Sequence, residues 1–117
     1  MKCAIDDFLP LAPATLHILL SMAGEKTYGY AIMQEVARQS DGRYKLGPGT
    51  LYDNLQRLMK QGLVEEVAGP VEEENGRRRY YKLSGLGRGV LTAEIDRLRV
   101  VVDLGRVHLK LPQPGRA

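Results

Sequence analysis

At 117 residues, with 44% apolar and 26% charged residues, the chain has the length and balance of one small domain with room for an appended helix. A net charge of +3 and a pI of about 9.1 permit a polyanionic partner without requiring one. The single cysteine, Cys3, excludes an intrachain disulfide and suits a reducing compartment. No apolar run approaches the roughly 20 residues of a membrane span, and Asp6 and Asp7 stand where an export signal would be basic and then apolar. A cytoplasmic location is therefore expected.

Met1 to Pro10 mixes Ala4, Ile5, Phe8 and Leu9 with two aspartates, which suits a short helical turn that packs on something or frays. Pro13 fits the first turn of a helix. The dense apolar run from Ala14 to Ala23 predicts that this helix is largely buried, with Gly24 ending it. Thr27 is the expected N-cap of a second helix. Its apolar stripe is Tyr30, Met33, Val36 and Ala37, with Ile32 beside it, and Ser40-Asp41-Gly42 stops it.

Gly47-Pro48-Gly49 opens a third helix that Gln61-Gly62 closes. Leu51, Leu55, Leu58 and Met59 share one face, which predicts burial. Thr50, Asp53, Asn54, Arg57 and Lys60 share the other. Taken alone this is the pattern of any surface helix. It is also a helix that a DNA major groove can accept.

Leu63 to Val67 then switches to strand chemistry. A polar segment, Val71 to Arg78, carries Asn75-Gly76, a pair that tolerates the turn of a hairpin. Arg79 to Leu83 reads as the returning strand, with one of Tyr80 and Tyr81 facing the core and the other the surface. Ser84 caps a last helix from Leu86 to about Leu109, and Pro112 and Pro114 end it. Three helices followed by a hairpin give a mainly α fold with a two-stranded β-hairpin: a winged helix-turn-helix over residues 1–84, a C-terminal helix over 85–111 and a tail over 112–117. The expected separation of the second and third helices, Ser40 to Gly47, exceeds the tight turn of the plain motif.

Arg77, Arg78 and Arg79 lie just past the hairpin tip, where three guanidinium groups suit phosphate oxygens or a minor groove. The bland alternative is that they neutralise Glu72, Glu73 and Glu74 across the hairpin. Tyr28, Tyr30, Tyr52, Tyr80 and Tyr81 cluster around the helix-turn-helix and the wing, mostly as packing residues, with Tyr52 placed to reach a phosphate. In the last helix Leu91, Ile95, Leu98, Val102, Gly105 and Leu109 form a heptad-like seam. That seam is too apolar for one small domain to cover. Pairing with a second copy solves this, and folding back onto its own domain is the alternative.

Catalysis finds little support. His17 and His108 have no Cys, Asp or Glu at metal-ligand spacing, Cys3 has no triad signature, and no phosphate loop is present. No metal, cofactor or catalytic residue is expected.

Several blocks together resemble the PadR family of bacterial transcriptional regulators in its short form. They are Tyr28-Gly29-Tyr30 with Ile32; Gly47-Pro48-Gly49-Thr50-Leu51-Tyr52; Leu55 with Arg57-Leu58; Gly62-Leu63-Val64; and Arg77 to Ser84 followed by Gly87. They cover about Leu16 to Leu91. The resemblance implies a winged-helix homodimer whose C-terminal helices pair or swap, acting as a repressor whose operator binding an effector weakens. It places Thr50, Tyr52, Asn54 and Arg57 on the recognition helix, Tyr28 and Gly29 at the start of its supporting helix, and Arg77 to Arg79 on the basic side of the wing.

Asp53 departs from the family pattern, which often has proline or a small residue there. Such an acid must accept from a cytosine amine, pair with Arg57 four residues on, or mark the helix as turned away. The chain has no tryptophan, which some short relatives use to stack planar ligands, so the effector's identity stays open.

The expected function is thus sequence-specific binding of double-stranded DNA by a homodimer on a pseudo-palindromic operator, with Lys45 and the arginines clamping the backbone. The competing class is a winged-helix protein-interaction or small-molecule-sensing module without specific DNA binding. Salt-sensitive DNA binding separates the two.

Overall fold

The structure is a computed structural model that describes residues 4–69 and 78–112. Cys3, the Glu72 to Glu74 run, the Asn75-Gly76 turn, Arg77 and Pro114 lie outside the described residues. A short 3-10 helix, Ala4–Phe8, is followed by α1 (Pro13–Ser21), β1 (Thr27–Tyr28), α2 (Gly29–Gln39), α3 (Pro48–Lys60), β2 (Val64–Val67), β3 (Tyr80–Leu83) and α4 (Gly85–Leu109). The strands form one antiparallel sheet in the order β1-β3-β2.

That sheet corrects three expectations. Its strand pair β2–β3 is joined by a third strand, because Thr27 and Tyr28 pair with Tyr81 and Tyr80. Thr27 is therefore a strand residue, and Tyr28 occupies the N-cap of α2 without a capping side chain. Tyr80 and Tyr81 alternate across the sheet, yet both are buried. Tyr81 enters the core, while Tyr80 is covered by the Tyr28 ring at 5.4 Å and by the backbone of Gly69.

Helix ends follow local chemistry. α1 starts at Pro13 and stops at Ser21, short of Gly24, with the Met22 amide closing the last turn on Leu19. Gly62, at φ +80°, ends α3 in a left-handed cap: its amide donates to Met59 and that of Leu63 donates to Leu58, both at 3.0 Å. Only glycine takes that conformation without strain. Ser84 caps α4 by accepting from the Gly87 amide at 2.9 Å. Gly87 admits no side chain, because a Cβ there would stand 2.0 Å from the Leu63 carbonyl oxygen.

The core joins Ile18 and Leu19 of α1, Ile32 and Val36 of α2, Leu51, Leu55 and Leu58 of α3, and Val90 and Leu91 of α4. The α2 stripe is rotated from the expected one: Gly29, Ile32 and Val36 face inward and Tyr30 is exposed. α4 has two unlike halves. Gly87, Val90, Leu91 and Glu94 are buried, whereas beyond Leu98 nearly every side chain is exposed. This projecting half lengthens the molecule, whose radius of gyration of 16.3 Å exceeds the roughly 13 Å of a compact chain this long.

One buried charge ties the N-terminal segment to α4. The Glu94 carboxylate, 1% exposed, accepts from Arg97 at 2.6 and 2.9 Å and from the Leu11 amide at 3.1 Å. The Arg97 guanidinium, helped by that amide, holds the carboxyl below its ordinary value against the opposing effect of burial.

Candidate nucleic-acid interface

α3 places its polar residues by simple helical geometry. Leu51, Leu55 and Leu58 are anchored in the core, so the diametrically opposite side faces solvent. Asp53, Gln56 and Lys60 occupy its crest, at the three and four spacing of a single stripe, and all are exposed. Thr50 and Arg57 lie on one shoulder and Tyr52 on the other.

The shoulder residues are already engaged. The Arg57 guanidinium donates to Asn54 Oδ1 at 2.7 Å and to Thr15 Oγ1 of α1 at 3.3 Å. Asn54 in turn donates to the Thr50 carbonyl at 2.9 Å, so its amide is used at both ends. Arg57 is therefore drawn towards α1. It forms no ion pair with Asp53 among the described residues, and the i, i+4 pairing expected as one alternative is absent.

Tyr52 links α3 to α2. A Cβ on Gly29 would meet its hydroxyl at 2.3 Å, so a glycine in the Tyr28-Gly29-Tyr30 block is what lets this ring lie against α2. Beside it, Arg78 places its guanidinium 4.3 Å from the centre of the Tyr28 ring, a cation–π stack. Arg79 faces Glu66 on β2 at 3.6 Å. The alternative of neutralisation by Glu72 to Glu74 falls outside the described residues. Tyr28, Gly29, Tyr30, Tyr52, Arg78 and Arg79 together line an open cleft of about 620 Å³. A second groove, lined by Tyr52, Gln56, Arg79 and Tyr81, shares two of those residues and runs under α3. Burial pushes the Tyr81 phenol up from its ordinary value. Lys45 is exposed in the connection before α3.

The arrangement presents hydrogen-bonding side chains on a convex helix and cations with aromatic rings in the adjoining concavity. The Transcriptional regulator PadR-like family signature matches residues 18–93, which span α2, α3, the sheet and the first part of α4. The chain belongs to the PadR-like family of transcriptional regulators. A transcriptional regulator of Mycobacterium tuberculosis is 37% identical over 84 residues, covering 71% of this chain and 73% of that one. A PadR family transcription regulator from Clostridium difficile superposes with a TM-score of 0.65 at 25% identity, covering 84% of this chain and 99% of the other. Bacillus subtilis PadR, solved in complex with operator DNA, shares the fold at a TM-score of 0.61 and 16% identity over 74% of this chain and 48% of its own.

Within this PadR-family chain, the expected site residues fall into three places. Thr50, Tyr52, Asp53, Asn54 and Arg57 are on α3; Tyr28, Arg78 and Arg79 meet in the cleft; and Lys45 stands apart in the loop before α3. Arg77 lies outside the described residues. Of the seam residues, Leu91 is buried in the chain's own core, Leu98 is half-buried, and Ile95, Val102 and Leu109 are exposed. Sequence reasoning passed over Gln56, which the i, i+3 spacing from Asp53 could have shown, and Glu94, whose burial no local pattern announces. Among the described residues no helix is long and apolar enough to cross a membrane, and no group of three His, Cys, Asp or Glu could hold a metal.

Proposed function

We propose that this regulator is a homodimeric, effector-responsive repressor that binds a pseudo-palindromic operator in the cytoplasm, without catalytic activity. α3 enters the major groove, with Thr50, Asn54 and Arg57 reaching base edges or phosphates. Lys45, Tyr28, Tyr52 and the arginine wing hold the backbone. The observation that carries this is the side-by-side exposure of α3's polar crest and the Arg78–Tyr28 cleft, a convex reader next to a cationic, aromatic wall. Binding of operator DNA by Bacillus subtilis PadR supports the same class of partner.

The dimer rests on α4. Val100, Val101, Val102, Leu104, Val107 and Leu109 are each half-exposed or more, and a second copy is the commonest way to cover such a surface. We propose the division into a DNA-binding unit over 1–84, a dimerisation helix over 85–111 and a tail over 112–117. The first turns of α4 belong to the core of the DNA-binding unit as well. The effector is part of this proposal through the family resemblance, and its chemistry is unassigned.

A mobility-shift titration of wild type, Arg57→Ala and Arg78→Ala at two salt concentrations tests the groove assignment. Arg57→Ala is expected to lose specific affinity, and Arg78→Ala to lose affinity for all sequences alike with a shallower salt dependence. Unchanged binding by both variants would contradict it.

A further inference from the structure

We propose that Asp53 is a specificity-determining residue that accepts a hydrogen bond from the exocyclic amine of a cytosine in the operator; this rests on the DNA-binding reading above. The structure removes two of the other roles open to this acid. It forms no ion pair with Arg57 among the described residues; one guanidinium nitrogen of Arg57 donates to Asn54 and Thr15 instead. Nor is it turned aside, since it stands on the crest of α3, opposite the buried Leu51, Leu55 and Leu58. It also lies in the N-terminal half of the helix, the part of a recognition helix that meets base edges.

The chemistry then narrows the partner. A carboxylate is only an acceptor. In the major groove guanine and thymine offer acceptors that repel it. Adenine offers an amine next to the N7 acceptor, and cytosine offers an amine alone. An aspartate on this crest is thus attracted to one base and repelled by others. It also lowers affinity for every phosphate it passes, so discrimination comes from repulsion as much as from the bond formed.

The test is selection of bound duplexes from a randomised pool by the full chain, its Asp53→Ala variant and its Asp53→Asn variant. Asp53 is exposed and has no side-chain partner among the described residues, so equal melting temperatures are expected and are measured alongside. Wild type should prefer cytosine at one position in each half-site by about tenfold. Asp53→Ala should lose that preference there and nowhere else, and Asp53→Asn should shift it to adenine, which asparagine bonds through N6 and N7. If Asp53→Ala binds every duplex more tightly with all base preferences intact, the acid merely repels phosphates and the proposal falls alone. If wild type enriches no sequence, the DNA-binding reading falls and takes the proposal with it.

Discussion

α3 and α4 are both amphipathic, but they leave opposite surfaces uncovered. α3 buries all its leucines in the chain's own core and presents Asp53, Gln56 and Lys60. α4 buries its first half and then presents valines and leucines over its last turns. Surplus polar groups on a helix call for a partner that hydrogen-bonds and carries charge, and surplus apolar surface calls for another protein surface. One small domain thus asks for two different partners from two different helices.

The largest expected effect is on α4. Val102→Glu combined with Leu109→Glu should leave the winged-helix body folded and make the protein monomeric by sedimentation. Operator affinity should fall by about a hundredfold or more, as two linked reading heads become one. A variant that stays dimeric would place the interface elsewhere. Next comes the join between the two regions. Gly87→Ala forces a methyl into the Leu63 carbonyl and should cost roughly 3 kcal/mol, read as a fall in Tm of about 10 °C.

On α3, Arg57→Ala should cost about 1–3 kcal/mol of specific binding with little loss for random DNA. A loss of thermal stability instead would make its bond to Thr15 structural. Glu94→Gln should cost about 1–2 kcal/mol at neutral pH. The fold lowers the Glu94 pKa beneath its ordinary 4.5, so the contribution is full above that value and is lost as pH falls through the lower folded one. Wild type and variant should therefore converge in acid, as thermal melts from pH 7 to pH 3 would check. The smallest effect is Arg78→Ala, which should reduce the slope of log affinity against log salt by about one.

Most of the fold was legible because its signals are local. Apolar spacing placed α1, α2, α3 and α4, Pro13 and Pro48 opened helices, and Ser84 capped one. What was missed depends on distant strands. Thr27 and Tyr28 look like a helix start and become a strand only because Tyr80 and Tyr81 arrive beside them. The same event brings the Tyr28 ring against Tyr80 and helps to bury it. In the candidate site, the sequence showed which residues α3 carries but not which are already engaged. Arg57 and Asn54 bond each other, and Arg57 also reaches Thr15, 42 residues away in the chain. That contact leaves Asp53 without an arginine partner among the described residues, on a crest it shares with Gln56 and Lys60.

The two-partner account is tested most directly by the spacing of the half-sites. A selected inverted-repeat duplex is compared with one carrying about five extra base pairs between its halves and one carrying about ten, half a turn and a full turn of B-DNA. Two α3 helices fixed by paired α4 helices should bind the original duplex tightly, fail on the half-turn insertion, and recover in part on the full turn. Equal affinity for all three duplexes would contradict the account.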